Sequence, residues 1–415
     1  MDTINYPVIP VVTVFLTRHG RVMLLKRSAR VGTYQGAWAA VSGYIERLPL
    51  RQAYVEVEEE AGLSQSSTAL RGIGTPVPVE DHNLNRIWMV HPFLFEIPDD
   101  AEVRTDWETE EVRWIEPQEL GELTTVPGLD QALAAVWPGF GDDGFWNGLA
   151  QVATDTTHGA TYLARLGLDT VDAYLHREHL TSDQRAVSAL GACRPSMGVF
   201  PHMAARLLSG RVSPLQLSTE FTQATAKSAE NASAMIIPYR RILTISYSGA
   251  VYDAIVLRAQ SGERLDVVIA ESRPEMEGVT LAQDLSAKGI RVSVITDAQS
   301  GVFTQQVDAV LVGCDAITAD NLLWNKTGTS LMVQAAKASR IPCFAVTQTH
   351  KIVPPGFPHS SEEQEPDRVG QSQGIKFRNI IFDSTPLNSF NAVCTEHGLL
   401  TQEQLTEIMT QVSGL

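Results

Sequence analysis

Cysteine is scarce in this 415-residue chain, and its four residues, Cys193, Cys314, Cys343 and Cys394, lie far apart with no CxxC pair. That scatter argues against a disulfide framework and makes reduced thiols in a cytoplasmic setting the expectation. No apolar run approaches the roughly 20 residues that a membrane-spanning helix needs. The N-terminal segment MDTINYPVIPVVTVFL has no basic stretch ahead of its apolar run, so it does not read as a secretory signal. Positive charge is short as well: 32 Lys and Arg against 48 Asp and Glu leave a net charge of -16. Such a balance argues against a nucleic-acid-binding surface.

The acid surplus is uneven, at -11 over residues 1–150 and -5 over the remainder. An acidic first third suits a site that gathers divalent cations, and it equally suits a surface that is merely kept in solution. With 44% hydrophobic and 19% charged residues the composition is that of a globular chain, and its length calls for two or three domains.

Organisation follows from the patterning. Residues 7–16 and 21–26 are apolar and β-branched and predict a strand and its hairpin partner. In segment 51–61, RQAYVEVEEEA, the residues Ala53, Val57 and Ala61 recur at helical spacing. Further strands are expected at 86–96 and 111–115, a short helix ending near Trp137, and a linker over 138–144 (PGFGDDG). Residues 145–236 predict helices alone, the last a long one near 214–233. Beyond them RILTIS, LDVVIA, IRVSVIT, AVLVG and CFAVT alternate with helical patterns, which predicts a mainly parallel, doubly wound sheet with ligands at the strand C-terminal ends. TQEQLTEIMTQV predicts a closing helix. HSSEEQEPDR (359–368) reads as a polar loop. The expected domains are 1–140, a helical subdomain 145–236 and a sheet domain 237–415.

Two constellations carry chemistry. Glu56, Glu59 and Glu60 sit at i, i+3 and i+4 on one helical face, where like charges repel unless a cation joins them. Clustered carboxylate oxygens are what Mg²⁺ requires. Gly43 upstream supplies a bend and Gly62 a helix end. Together with KRSARVGTYQGAWAAVSGYIE, WMVHPFLFEI, EEVRWIEPQEL and TVPGLDQAL, these residues resemble the Nudix family over about 7–137. The resemblance implies an α/β/α sandwich with a mixed sheet, hydrolysis of nucleoside diphosphate derivatives, and Mg²⁺ (or Mn²⁺) held by Glu56, Glu59 and Glu60, with Glu59 helping to activate water. Two departures stand out: Val55 replaces the family's arginine, and Glu46 is the nearest match, out of register, to a loop glutamate. A solvated acidic face on a docking module remains the alternative.

In the second half, polar segments follow each apolar strand: ILTISYSGA, IAESRPEMEG, VITDAQSG, VGCDAITADNLLWNKTGT and AVTQTHKIV. One rim of the sheet would collect Arg273, Asn325, Lys326, Lys351, Ser248 and Thr329 as phosphate donors. Gly328 would open a helix N-terminus to an anion. With CRPS, FDSTP and TEHG, the series resembles the family of ribose-1,5-bisphosphate isomerase, methylthioribose-1-phosphate isomerase and the initiation factor 2B regulatory subunits, over about 145–415. The resemblance implies a Rossmann-like, mainly parallel sheet after a helical segment, no cofactor in that half, and pairing into a homodimer or larger oligomer. It implies proton transfer by Asp315, a phosphate site of Arg194, Asn325, Lys326 and Lys351, and an early substrate motif at His158, Gly159 and Ala160. Ser246 falls where the isomerases carry a cysteine, and a thiol near pKa ~8.5 shuttles protons far more readily than an alcohol. Cys193, Cys314, His91 and His202 are expected to be packing residues, and Asp315 has an alternative as a turn or cap residue.

The expected partners are phosphorylated riboses and nucleoside diphosphates, with neither nucleic acid nor membrane. The function expected is an aldose–ketose isomerase on a C1-phosphorylated ribose, fused to a Nudix hydrolase. Against it stands a non-catalytic sugar-phosphate or nucleotide sensor, with the Nudix half as the only enzyme or as a docking module.

Overall fold

The computed structural model describes residues 6–262 and 264–412. The first five residues, which begin the segment weighed above as a signal, lie outside the described residues. The chain forms two compact units: the described residues up to Asp155 together with Ala173–Pro195, and Thr156–Asp172 together with Ser196 onward. Among the described residues no helix is long and apolar enough to cross a membrane.

The first unit is built on an eight-stranded mixed sheet. Strand Val8–Arg18 turns at His19 and Gly20, both left-handed, into its antiparallel partner Arg21–Arg27. It also runs parallel to Arg86–Glu96, from Val8 opposite Ile87 to Thr17 opposite Glu96. Strand Val41–Tyr44 adds to it antiparallel, placing Gly43 opposite Val12. The helix Pro49–Ala61 starts with proline at its first position and ends at left-handed Gly62, whose N–H bonds Glu58 O at 3.1 Å. Its buried face is Leu50, Ala53, Val57 and Ala61, as the four-residue spacing predicts. Tyr54 adds a stack on Phe95 at 4.9 Å. Glu56 and Glu60 flank this face half-buried, and Glu58 and Glu59 are exposed.

The segment read as a linker passes at Asp143 into a helix, Asp143–Thr154, capped by Asp142, whose side chain accepts the Phe145 N–H at 2.7 Å. Helices Ala160–Arg177, Gln184–Ala192, Val199–Leu208 and Pro214–Met235 follow without an intervening strand.

In the second unit the strands run in the order Arg291–Ile295, Asp266–Ala270, Arg241–Ile245, Ala309–Val312, Cys343–Val346, Ala392–Thr395 and Gly398–Leu400, all parallel except the last. Chain order reverses between Arg241–Ile245 and Ala309–Val312. A doubly wound sheet opens its ligand crevice at such a reversal, outside the strand C-terminal ends. Ser246 follows the first of these strands directly, and Asp315 lies three residues beyond the second. A small antiparallel sheet of Ala316–Thr318, Leu322–Lys326 and Phe382–Pro386 was not expected from the pattern, and it pairs Asn325 with Asp383.

Candidate functional site

The rim of the second unit gathers most of the expected residues around Ser246. This serine is left-handed at φ 64°, as are Ser272 at 64° and Met276 at 61°. Each non-glycine residue in that region costs about 1–2 kcal/mol, so three together are held by their surroundings. The holding bonds are on view. Ser246 N–H donates to Ser272 Oγ at 2.7 Å, and the N–H groups of Ser272 and Arg273 each donate to Asp297 at 2.8 Å. Ser246 Oγ then donates to Glu277 Oε2 at 2.9 Å, and the same carboxylate oxygen pairs with Lys326 Nζ at 2.9 Å. The Lys326 side chain is only 4% exposed.

Asp315 stands on the segment leaving the neighbouring strand. Its backbone is anchored twice: its N–H donates to Trp324 O at 2.8 Å and its carbonyl accepts the Gly198 N–H at 2.9 Å. Burial pushes its carboxyl up to about 6, with Lys351 pulling it down, Glu277 and Glu362 pushing it up, and Lys326 pulling it down. Lys351 is buried and spends one donor on Cys314 O at 2.6 Å. Asn325 Nδ2 bonds Thr329 Oγ1 at 2.9 Å, and Ser248 packs against the bare backbone of Gly313. Glu277 and Lys326 thus hold the serine hydroxyl and also act, with Lys351 and Glu362, on the Asp315 carboxyl, an arrangement able to move protons beside an anion.

Other expected residues have contacts or exposures of their own. Arg194 belongs to the first unit, where it is buried and donates to the carbonyls of Val152 at 3.2 Å and Asp155 at 2.5 Å. His158 and Gly159 are exposed; the His158 ring stacks on Tyr162 at 4.1 Å, and nothing crowds the Gly159 Cα. The Arg273 side chain is exposed at the rim. Gly328 does precede a helix, with φ 106°, but its N–H is taken by Asp383 at 2.7 Å, and Ser330 N–H bonds the same carboxylate at 3.2 Å. The anion at that helix start is the protein's own.

All four cysteines are buried and unpaired. Cys314 directs its Sγ to Ala316 O at 3.3 Å, away from proton-transfer work, and burial pushes its thiol up to about 12. Cys193 is raised by burial too. His91 and His202 are buried and pulled down to about 4 by desolvation, as packing residues would be.

On the acidic helix of the first unit, Glu56 accepts from Gln52 Nε2 at 2.7 Å and lies directly over Gly43, where any Cβ would collide with its carboxylate. Glu60 accepts the Ser42 N–H at 3.2 Å. Burial raises Glu60 to about 8, against the Ser42 N–H and with repulsion from Glu56, Glu108 and Asp106. Burial likewise raises Glu56, with Glu59 and Glu108 adding to it. Glu59 itself is exposed. Among the described residues no three His, Cys, Asp or Glu side chains stand close enough to close around a metal ion. The donor chemistry still fits a hard divalent cation, because crowded, partly desolvated carboxylate oxygens over a glycine are relieved by one.

The Initiation factor 2 subunit family matches residues 208–402 and the NUDIX domain matches residues 7–136. The ribose 1,5-bisphosphate isomerase of Methanocaldococcus jannaschii is 30% identical over 260 residues, covering 58% of this chain and 84% of that protein. The chain belongs to the initiation factor 2 subunit family. Its first unit carries a Nudix domain. Among solved structures, the translation initiation factor eIF-2B of Pyrococcus horikoshii OT3 superposes with a TM-score of 0.55 at 25% identity, over 62% of this chain and 97% of that one. The tetrameric eIF2B-beta2-delta2 complex of C. thermophilum shares the fold, with a TM-score of 0.51 at 17% identity over 65% of this chain and 94% of that one.

Within this family domain, two site carboxylates escaped the sequence reading. Glu277 opens the helix Glu277–Ala287, 31 residues beyond Ser246. Glu362 comes from the segment read as a polar loop, yet it is buried, accepting from Ser196 Oγ at 2.6 Å and Gln364 Nε2 at 2.9 Å. The only signal for the latter was its run of acids and amides with no basic neighbour before Arg368.

Proposed function

We propose that the second unit isomerises a C1-phosphorylated ribose of the ribose 1,5-bisphosphate type to the corresponding ketose. Phosphate at C1 blocks simple aldehyde formation, so the ring must open with an acid at the ring oxygen and a base near C1 and C2. Asp315 carries this reading: a half-buried carboxyl raised to about 6, placed at the reversal of the sheet, keeps a protonated fraction near neutrality and can give that proton up. Lys326 and Lys351 balance the phosphates, and burial of the crevice excludes water from the opened sugar. The resemblance to the M. jannaschii isomerase supports the same substrate class. Phosphorus and carbon NMR of the full chain with ribose 1,5-bisphosphate tests it. Ribulose 1,5-bisphosphate is expected with the unmutated protein and not with Asp315→Asn. Saturable binding without product favours a sugar-phosphate sensor, the reading that the Ser246 hydroxyl supports.

For the first unit the proposed activity is Nudix-type hydrolysis of a nucleoside diphosphate derivative. Glu56 and Glu60, with Glu59 at the edge, would hold Mg²⁺ or Mn²⁺, which when bound neutralises pyrophosphate charge and activates water. A Mg²⁺-dependent screen over nucleoside diphosphate sugars and dinucleotides tests this, and no turnover on any of them removes it. A homodimer or larger assembly is proposed by analogy with the tetrameric relative, and light scattering of the purified chain checks it.

A further inference from the structure

A serine hydroxyl alone is a poor base, and Ser246 is not alone. Its hydrogen is committed to Glu277 Oε2 at 2.9 Å, which leaves the oxygen lone pairs available to a ligand. Glu277 is in turn held by Lys326 Nζ at 2.9 Å. The geometry is built with care: the left-handed Ser246 turns on the Ser272 hydroxyl, and left-handed Met276 delivers the first residue of the Glu277 helix. Gly278 approaches Ala270 O so closely that an added Cβ would collide with it. Strain of this kind gathers where a fold fixes reacting groups.

We propose that Glu277 is a positioning residue that acts through Ser246, taking up the proton that Ser246 removes from the sugar. The proposal rests on the isomerase reading above. In the step, the C2 hydroxyl gives its proton to Ser246 Oγ while the Ser246 hydrogen passes to Glu277. The C2–O bond becomes a carbonyl, and the hydrogen on C2 moves to C1 with its electron pair. The bond between C1 and the ring oxygen breaks with its pair going to oxygen, which takes the proton of Asp315. C2 is oxidised and C1 reduced within one molecule, so no outside oxidant is needed. Glu277 ends protonated and Asp315 ionised, and exchange with water restores both. A relay of this form gives the serine a use that its own acidity denies it.

The test compares unmutated protein with Ser246→Ala, Glu277→Gln, Glu277→Asp and the double variant Ser246→Ala/Glu277→Gln, each checked for an unchanged melting temperature, with ribose 1,5-bisphosphate followed by phosphorus NMR. Glu277→Gln is expected to lower kcat by about 10²–10³-fold with KM within about threefold, the pattern of a group used only in the transition state. Glu277→Asp should recover part of the loss. The double variant should be no slower than Ser246→Ala, because residues acting as one unit are not additive. An unchanged kcat in Glu277→Gln, or two losses that multiply, overturns the relay while leaving the isomerase in place. No product from the unmutated protein overturns the isomerase reading and the relay with it.

Discussion

Both units concentrate carboxylates, yet they surround them differently. Around Glu60 the neighbours are Glu56, Glu108 and Asp106, and its carboxyl rises to about 8. Near Glu56 the Arg47 charge opposes the rise. Around Asp315 the acids Glu277 and Glu362 alternate with Lys351 and Lys326, and the carboxyl rises only to about 6. The same side-chain chemistry is thus shifted to different degrees by its surroundings. The first cluster sets acid against acid, the repulsion that the proposed Mg²⁺ would relieve. The second supplies its own cations and keeps one carboxyl where it can exchange a proton at neutral pH.

The largest effect that would break this contrast is on Asp315. Asp315→Asn should lower kcat for ribose 1,5-bisphosphate by about 10²–10⁴-fold while calorimetric binding of the sugar persists. In the unmutated protein, an acid raised to about 6 must be protonated to serve the ring oxygen, so kcat should fall as pH rises through that value. A rate that is flat there, or an active asparagine variant, would remove Asp315 from the chemistry.

Next in size is the acidic helix. Glu56→Gln or Glu60→Gln should weaken Mg²⁺-dependent hydrolysis by more than the about 10–100-fold that losing an outer-shell partner costs. Neither should change the isomerase rate. Calorimetric titration of Mg²⁺ into each variant checks the first part, and the NMR assay the second. Equal metal binding in all three proteins would show that the cluster is only a charged face.

How far such sites can be read from sequence depends on how local they are. The acidic face was legible because i, i+3 and i+4 spacing is local, and so were the strands of the large parallel sheet, as short β-branched runs. The doubly wound, mainly parallel sheet followed from the alternation of those runs with helices, whereas the strand order that puts its reversal after Ile245 did not. Glu277 was not legible: its bond to Ser246 spans 31 residues and depends on left-handed backbone at Ser246, Ser272 and Met276. No propensity favours that conformation. Glu362 resembled a solvated loop because burial of an acid beside Gln364 and Ser196 is a tertiary event. Arg194 was assigned to phosphate by resemblance, and its guanidinium also donates to the backbone carbonyls of Val152 and Asp155. The small antiparallel sheet was missed because Ala316–Thr318 is three residues long and Phe382–Pro386 joins from far along the chain.

Gly43 sharpens the comparison at a smaller scale. Because a Cβ there would collide with the Glu56 carboxylate, Gly43→Ala should cost about 1–3 kcal/mol as overpacking does. It should also displace Glu56 and depress hydrolysis, leaving isomerisation unchanged. Thermal unfolding and both assays measure this. An alanine variant as stable and as active as the original would mean that the glutamate is free to move aside.

The smallest expected effect concerns Asp383, the carboxylate that closes the helix start at Gly328. Burial raises it from 3.8 to about 6, although the Gly328 and Ser330 N–H groups oppose the rise. A carboxyl raised in the folded state binds its proton more tightly there than in the unfolded chain. Its contribution to stability is therefore full below about pH 4 and is lost as pH climbs through about 6. Asp383→Asn removes this proton while keeping one acceptor for the helix N–H groups, so the fall in stability from pH 4 to 6 should become shallower by on the order of 1 kcal/mol. Asp315, raised over the same range, keeps the slope from vanishing. Denaturant titrations across that window read the difference directly. A variant with the original slope would mean that Asp383 is ionised throughout, its charge already satisfied by the helix start it caps.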